Sequence, residues 1–334
     1  MTESAENQLR GLITGYWRTQ AIYVAAKLGL ADHVDRGLHT AEQLAAATGT
    51  HAPSLYRLLR ALASNGIFAE QPDRTFRLTP MADCLRSDHG SSLRSLATML
   101  GEEHYVCYGH LIDGIRTGEI VFDKIFGAPI FQYLAQHPDK ARIFDEAMVG
   151  VHGQETAAML SAYDFSGFGT LADVGGGNGS LLSSVLAKHT KLKGMLVDRP
   201  DVIPRARERL SAAGVVDRCQ LIGGDFFQSV PAGADAYLMR HIIHDWDDPK
   251  STLILKNIRK VLPAHGRVLL VEGIVESGNA PSFVKSLDLT MLLMPGGQER
   301  TAAEYEQLFK AAGLRLDRIV PTPSDVSVIE AVGA

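Results

Sequence analysis

A histidine and several carboxylates stand where strand-like segments end, which is where open α/β sheets bind their ligands. His244 follows the apolar run that starts at Tyr237, and Asp245 comes directly after it. Imidazole titrates near neutral pH, so His244 is a candidate general base. Glu272 ends a later apolar run, and a carboxylate there needs a partner. The Nδ1–H group of His244 would be that partner and would leave Nε2 free to accept a proton.

His241 and His244 are spaced at i and i+3, which could place both on one metal ion. No third ligand is evident near them in the sequence, so we expect no metal. The alternative reading of His244 is a solvated or structural loop residue. Glu299 also has two readings, because it is either a site carboxylate or part of the cap of a helix that begins after Thr301.

The stretch Leu171–Ser180 predicts a strand, a turn without side chains and the start of a helix. Gly175 and Gly177 would let the backbone press against a ligand, and the free N–H groups of the helix start would face that ligand. The third glycine of a dinucleotide fingerprint is replaced by Ser180. Asp198 ends the next strand, where an acidic residue can hold ribose hydroxyls.

Asp173 comes just before these glycines, and its carboxylate suits an ammonium group better than a pyrophosphate. Acids on both sides of the turn favour a cationic nucleoside, and S-adenosylmethionine is the obvious candidate. A nicotinamide or flavin cofactor and a purely structural turn are the alternatives. After the third strand, Asp225 could accept a hydrogen bond from an adenine amino group and Phe226 could cover its ring, unless the segment is a simple turn.

The composition is that of a globular protein. The chain has 334 residues, which suggests about two domains, and 46% of them are hydrophobic. The net charge of -5 offers no general attraction to nucleic acid or to an anionic membrane. The chain has only three cysteines, widely spaced, and shows neither a signal-peptide pattern nor a membrane-span pattern. We therefore expect a cytoplasmic protein.

The first half of the chain is predominantly helical in pattern. Residues 8–30 predict one apolar helix, and residues 31–80 predict two helices and a hairpin, the order of a winged helix. Thr40 and Gln43 have the spacing of a capping box. A winged helix binds DNA or serves dimerisation, and the acidic chain favours dimerisation. Residues 91–160 are mainly helical and rich in aromatic side chains that serve as core or as a pocket wall.

The second half alternates strands and helices, which predicts a mostly parallel sheet. We place strands near 170–174, 193–198, 218–222, 234–239 and 267–272, and late helices near 282–294 and 302–312. The runs 315–320 and 326–331 leave no room for a helix between them and predict an antiparallel hairpin.

The chain resembles the small-molecule O-methyltransferases of the caffeate and hydroxyindole type, including bacterial enzymes that modify polyketides and other aromatic natural products. The resemblance covers almost the whole chain. It is carried, in order, by Asp173–Gly179, Asp198–Pro200, Gly223–Phe227, His244–Trp246 and Gly296–Thr301. It implies a Rossmann-like class I methyltransferase sheet, S-adenosylmethionine as cofactor, an aromatic small-molecule substrate in secondary metabolism or antibiotic biosynthesis, and a homodimer.

The resemblance also implies roles for individual residues. His244 would deprotonate the acceptor hydroxyl, with Glu272 and Glu299 framing its imidazole. The expected cofactor residues are Asp173, Gly175, Gly177, Asp198, Arg199, Gly224, Asp225, Phe226, Phe227 and Arg240. Arg240 stands where plant relatives often carry lysine. The expected acceptor contacts are Phe126, Phe131, Phe144, Met148, His152, Asp245, Met291 and Met294.

From these observations we expect a winged-helix dimerisation domain over residues 1–95, a helical linker that contributes to the substrate pocket over 96–164, and a cofactor-binding catalytic domain over 165–334. Two other functions remain open. A repurposed relative could methylate nitrogen, or use the cofactor structurally in decarboxylation or hydroxylation. A winged-helix regulator could carry a ligand-binding domain.

Overall fold

The computed structural model describes residues 4–334. Contacts within the chain divide it into two units, Met1–Val106 with His137–Val151, and Cys107–Gln136 with His152–Ala334. Among the described residues, no helix combines the length and the apolar character needed to cross a membrane.

The first unit is mainly helical. Its elements up to Gly101 are α1 (Ala5–Ile13), α2 (Gly15–Lys27), α3 (Leu30–Asp35), α4 (Ala41–Thr48), α5 (Ala52–Ala63), β1 (Phe68–Glu70), β2 (Phe76–Leu78), α6 (Pro80–Asp83) and α7 (Arg94–Gly101). The capping box of α4 is confirmed, because Thr40 and Gln43 cap each other's backbone N–H groups. The predicted hairpin is also confirmed, since β1 and β2 pair antiparallel.

The single helix predicted over residues 8–30 is wrong, because the chain forms α1 and α2 with a break at Thr14. The Thr14 hydroxyl donates to the Arg10 carbonyl at 2.9 Å beside the Thr14 N–H at 3.0 Å, and such back-bonding by threonine bends helices. Five large apolar side chains of these two helices are more than half exposed: Leu9, Leu12, Ile13, Tyr16 and Trp17. They form an apolar surface that the other described residues of this unit leave exposed.

The region between residues 103 and 162 is helical, as predicted. Its helices are α8 (Glu103–Gly109), α9 (Leu111–Thr117), α10 (Val121–Phe126), α11 (Ile130–Gln136) and α12 (Pro138–Ala162).

The rest of the second unit alternates strands and helices, also as predicted. The elements are β3 (Thr170–Val174), α13 (Ser180–Lys188), β4 (Lys193–Asp198), α14 (Ile203–Ala212), β5 (Cys219–Gly223), β6 (Ala236–Arg240), α15 (Asp248–Val261), β7 (Arg267–Gly273), α16 (Phe283–Leu293), α17 (Ala302–Ala311), β8 (Leu314–Pro321) and β9 (Val326–Gly333). Short 3₁₀ turns cover Val216–Arg218 and Ile243–Asp245.

Seven strands form one sheet in the order β5-β4-β3-β6-β7-β9-β8. The pairs among β3 to β7 are parallel, whereas β9 pairs antiparallel with both β7 and β8. Leu171, Ala172 and Val174 of the central strand are fully buried, which suits a strand covered on both faces. The order reverses between β3 and β6, so the carboxyl ends of these two strands mark the switch point where such sheets bind ligands.

Candidate active site

The glycine turn after β3 lies at this switch point. Gly175 has φ +76, and a Cβ atom there would lie 2.5 Å from Cδ1 of Ile242 at the end of β6. Only glycine fits such a close approach with that backbone conformation. The turn leads directly into α13, whose first N–H groups face the same edge of the sheet.

Asp198 ends β4 beside this turn. Its Oδ2 accepts the N–H of Gly177 at 2.7 Å, and its Oδ1 accepts the N–H of Arg199 at 2.7 Å. Each oxygen keeps a second lone pair for a further donor such as a ribose hydroxyl. The Arg199 guanidinium donates to the Phe131 carbonyl at 2.7 Å and to Asp201 at 2.9 Å, which ties α11 to the end of β4.

Asp173 is a buried carboxylate with one unsatisfied oxygen. It is 2% exposed, and its Oδ2 has no hydrogen-bond partner. Burial raises the pKa of Asp173 to about 7, with Asp198 adding to the rise and Arg240 opposing it. A donor bearing positive charge would satisfy this oxygen and stabilise the carboxylate. The turn, Asp198 and Asp173 therefore fit a ligand that has ribose hydroxyls and an ammonium group.

The loop after β5 carries the other expected cofactor residues, Gly224, Asp225, Phe226 and Phe227. Asp225 accepts the N–H of Phe227 at 2.9 Å, so part of its carboxylate shapes its own turn. The rings of Phe226 and Phe227 lie 4.9 Å apart, and Phe227 meets Trp246 edge-on at 4.9 Å. Phe131 contacts Trp246 at 5.8 Å. These rings form an aromatic wall beside the β5 and β6 ends.

His244 lies in the turn after β6, 6% exposed, with Nδ1 at 2.7 Å from Glu299 Oε1. Glu299 reaches it because the segment before α17 runs beside the end of β7, through a bridge between Ile274 and Arg300. Gly297 allows this approach, since a Cβ there would lie 2.0 Å from the His244 carbonyl oxygen. With Nδ1–H donated to Glu299, the Nε2 atom is left as the proton acceptor.

Glu272 lies within ion-pair distance of His244 Nδ1, but the predicted hydrogen bond between them is not formed. Its Oε1 accepts the N–H groups of Ile242 and Ile243 at 3.1 and 2.9 Å. Its Oε2 lies 3.8 Å from His244 Nδ1, beyond hydrogen-bond distance, and has no hydrogen-bond partner. Glu272 thus shapes the backbone that carries His244 and acts on the ring through its charge.

The charges around His244 decide its protonation. Burial disfavours the imidazolium, but Glu272, Asp245 and Glu299 together outweigh this and raise the pKa of His244 to about 10. Asp245 lies 3.5 Å from Nε2, and burial raises the pKa of its own carboxyl to about 7. This raised pKa favours the protonated form of His244 in the free protein, and a positive charge bound nearby would favour release of the proton.

Arg300 is a buried residue whose part in the site the sequence did not reveal. Its side chain is fully buried, and its guanidinium donates to the carbonyls of Ile243 at 3.1 Å and Trp246 at 2.8 Å. It also pairs with Asp248 at 2.8 Å. Arg300 thereby holds both ends of the 3₁₀ turn that carries His244. The Gly296–Thr301 motif contained it, but nothing in its spacing indicated this contact.

A second histidine cluster adjoins the first. Nε2 of His241 lies 3.0 Å from Glu155 Oε2, and its ring stacks on that of His152 with centroids 4.5 Å apart and planes 17° apart. Burial lowers the pKa of His152 well below its usual value, and the positive charges of its neighbours add to this. Glu155 was missed in the sequence, although its i,i+3 spacing from His152 on a helix was a signal.

The expectation that no third ligand lies near His241 and His244 is wrong. Glu272 joins them within metal-binding reach, and His152, Glu155 and His241 form a second such group. In the second group the two imidazole planes are stacked, so their lone pairs run side by side instead of converging on one ion. These contacts suit hydrogen bonding and charge pairing better than ligation.

Arg240, expected at the cofactor, donates to the hydroxyl of Thr156 at 2.7 Å. Burial lowers the pKa of its guanidinium, while Glu155 and Asp173 act in the opposite direction. Arg240 therefore lies between the glycine turn and the second histidine cluster.

The expected acceptor contacts occupy different environments. Phe126 and Phe131 are partly buried against a cluster that includes Phe122 and Ile130. Met294 belongs to the same cluster and is 1% exposed, which is the environment of a core side chain, and Met291 is also buried. Phe144 and Met148 belong to the first unit. A contact between any of these residues and an acceptor stays a prediction.

Family models match two parts of the chain. An O-methyltransferase domain matches residues 108–315, and an O-methyltransferase dimerisation domain matches residues 11–88. The first match covers the glycine turn, Asp198, His244 and Glu299.

Individual relatives agree with these matches. A phenazine O-methyltransferase of Lysobacter antibioticus is 48% identical over 96% of this chain and 94% of its own. An 8-amino-8-demethylriboflavin N,N-dimethyltransferase of Streptomyces davaonensis is 36% identical over 93% of this chain and 91% of its own. The crystal structure of an O-methyltransferase from neocarzinostatin biosynthesis, in complex with S-adenosylmethionine and 2-hydroxy-5-methyl naphthoic acid, has a TM-score of 0.84, 33% identity, and coverage of 95% and 96% of the two chains.

The carboxylate acceptors of Asp173 and Asp198 and the backbone of the glycine turn fit S-adenosylmethionine, the cofactor of this family. The chain belongs to the S-adenosylmethionine-dependent O-methyltransferase family of aromatic natural-product tailoring enzymes, with its catalytic and dimerisation domains.

Proposed function

We propose that this protein transfers a methyl group from S-adenosylmethionine to a hydroxyl of an aromatic small molecule, with His244 as the general base. The observation that carries the proposal is the 2.7 Å contact between His244 Nδ1 and Glu299, which leaves Nε2 as the proton acceptor. An oxygen acceptor needs such a base because its proton must leave as the carbon–oxygen bond forms.

Each residue then has a defined task. When bound, S-adenosylmethionine supplies an electrophilic methyl group. Asp173 would accept from its ammonium group, and Asp198 would hold its ribose hydroxyls. The Nε2 atom of His244 accepts the proton of the acceptor hydroxyl, and Glu299 stabilises the resulting imidazolium through Nδ1. Glu272 and Arg300 hold the turn, so the imidazole keeps one orientation.

The raised pKa of His244 has a consequence for the order of events in this mechanism. With a pKa raised to about 10, the imidazole is protonated in the free protein and is not yet a base. The positive charge of the bound cofactor would lower this pKa. We therefore expect the base to become competent in the cofactor-bound protein, which prevents proton abstraction before the methyl donor is in place.

A panel of hydroxyl acceptors, phenolic and polyketide-like, with mass spectrometry of the products, tests the proposal. Substitution of His244→Gln should lower turnover by roughly 10²–10⁴-fold and leave cofactor affinity nearly unchanged, because the base acts on the acceptor proton. The matched control is His265→Gln, since His265 pairs with Asp235 elsewhere in the sheet at 3.0 Å. Full turnover of a weakly acidic hydroxyl by His244→Gln would refute the base role.

Nitrogen is the competing acceptor, because a relative named as an N,N-dimethyltransferase shares 36% of its residues with this chain. Matched acceptors that carry either a hydroxyl or an amine at the same ring position separate the two. An amine attacks through its lone pair before it loses a proton, so amine methylation should respond weakly to His244→Gln.

The dimerisation-domain match supports a homodimer. The three cysteines of the chain, Cys84, Cys107 and Cys219, form no disulfide, which supports a reducing compartment such as the cytoplasm.

A further inference from the structure

The second histidine cluster shares a carboxylate oxygen with the base. Glu272 Oε2 lies 3.9 Å from His241 Nδ1 and 3.8 Å from His244 Nδ1. Its other oxygen is held by the backbone N–H groups of Ile242 and Ile243. The two rings lie 4.9 Å apart with planes 39° apart. One buried oxygen therefore faces two imidazoles at nearly equal distance.

The far side of His241 is fixed by another carboxylate. Its Nε2 lies 3.0 Å from Glu155, and both side chains are 11% exposed. The backbone holds His241 at φ +53, and Arg74 is the one other non-glycine residue with positive φ among residues 4–334. This conformation is uncommon for residues with a side chain, and such outliers concentrate at functional sites. It orients the ring between Glu155 and Glu272.

Two buried atoms face each other between His241 and Glu272. The His241 Nδ1 and the Glu272 Oε2 lie 3.9 Å apart, and neither has a hydrogen-bond partner. The His241 ring therefore lies between two carboxylates, with Nε2 at 3.0 Å from Glu155 and Nδ1 within ion-pair distance of Glu272.

We propose that His241, held by Glu155, competes with His244 for the charge of Glu272 and so sets how firmly the base holds its proton. This inference rests on the proposed function only for its consequence in turnover. His241 acts through His244 and is a positioning residue. The charged and titratable groups that face it are His152 and Glu155 from α12, Glu272 from β7, and His244 from its own turn.

The direction of the effect follows from charge. In this proposal the ring of His241 shares the negative field of Glu272, and any positive charge on that ring opposes a proton on His244. Without it, Glu272 would act on His244 alone, and the imidazolium of His244 would become more stable. Loss of His241 should therefore raise the pKa of His244, and the active, deprotonated form should appear only at higher pH.

The primary test uses His241→Asn. Asparagine tolerates the left-handed backbone conformation but is too short to bridge both carboxylates. We expect the acid limb of the kcat–pH profile to move up by about one pH unit, as for loss of a charge within a few ångströms. Glu155→Gln should move it in the same direction, and should add nothing in the His241→Asn background, because both changes remove one interaction. His265→Asn is the control and should leave the profile unchanged.

A second readout does not need turnover. Nuclear magnetic resonance titration of histidine-labelled protein gives the pKa of His244 directly, with His244→Gln identifying its signal. An upward shift in both His241→Asn and Glu155→Gln, each folded by thermal melt, supports the proposal. An unchanged or lowered His244 pKa in the folded variants overturns it, and Glu155→Gln alone decides if His241→Asn does not fold. A wild-type protein that methylates no hydroxyl would refute the proposed function, and the titration would still test His241.

Discussion

The Nδ1 atom of His244 lies 2.7 Å from Oε1 of Glu299, although 55 positions separate the two residues. The contact joins the turn after β6 to the segment that precedes α17. It is the shortest approach of a carboxylate to this imidazole, and Glu272 and Asp245 lie farther away, at 3.8 and 3.5 Å. Glu299 is therefore the residue that determines which nitrogen of His244 carries the proton.

Replacement of Glu299 by glutamine tests this relationship. The amide can donate to Nδ1, which favours the tautomer with its proton on Nε2 and removes the base. We expect turnover to fall roughly 10²–10⁴-fold, close to the loss in His244→Gln. The measurement is steady-state kinetics at saturating cofactor, with Glu306→Gln on the exposed face of α17 as control. Near-wild-type turnover would show that Glu299 does not orient the base.

The preference of His244 for Glu299 over Glu272 cannot be predicted from the sequence. The family resemblance predicts that both carboxylates frame the imidazole, and the strand pattern makes Glu272 the expected partner of Nδ1. The distinction depends on the Ile274–Arg300 bridge and on the close passage of Gly297, which are long-range backbone contacts. Local patterns along the chain carry no information about them.

The sheet was more predictable than the helices. Its buried strands are apolar runs bounded by turn residues, and β4 begins and ends at the predicted residues. The break at Thr14 was missed because the apolar pattern of residues 8–30 continues through it. Glu155 and Arg300 were missed because their partners lie on other elements. His241 is 86 positions from Glu155, and Ile243 is 57 positions from Arg300.

Substitution of Asp198→Ala tests the cofactor site. The change removes an acceptor for ribose hydroxyls, and it also removes the bond that holds the Gly177 N–H at 2.7 Å. We expect S-adenosylmethionine affinity to fall about tenfold or more, since one hydrogen bond to a charged group contributes roughly 1.5–3 kcal/mol. Calorimetric titration measures this, and Asp217→Ala, at an exposed carboxylate in the turn before β5, is the control. Unchanged affinity in a folded Asp198→Ala protein would contradict the assignment.

The exposed apolar face of α1 and α2 should be buried in a homodimer. Leu12 and Trp17 are 79% and 62% exposed within one chain. An obligate interface of this kind buries more than about 2,000 Å² in total. Leu12→Asp with Trp17→Asp should therefore yield monomers, as measured by sedimentation velocity at micromolar concentration. A wild-type protein that sediments as a monomer would refute the homodimer.

The pH dependence of stability provides a test of the His244 environment that needs no substrate. The carboxylates raise the pKa of His244 to about 10 against burial, while an exposed histidine titrates near 6.5. Because the folded-state value is the higher one, the stabilisation is complete below pH 6.5 and is lost as the pH rises through 10. The slope for one proton is at most about 1.4 kcal/mol per pH unit.

Asp245 must be separated from this effect. Burial raises the pKa of its carboxyl from 3.8 to about 7, so its contribution also falls with rising pH, but at lower values. Because Asp245 also helps to raise the pKa of His244, it is kept, and the measurement starts above its own titration. Urea unfolding between about pH 8 and 10 should show a declining free energy that disappears when His244→Gln is added. Adding His265→Gln instead should leave the decline in place. An equal decline with and without His244 would mean that its imidazole is not held in the protonated form by Glu299 and Glu272.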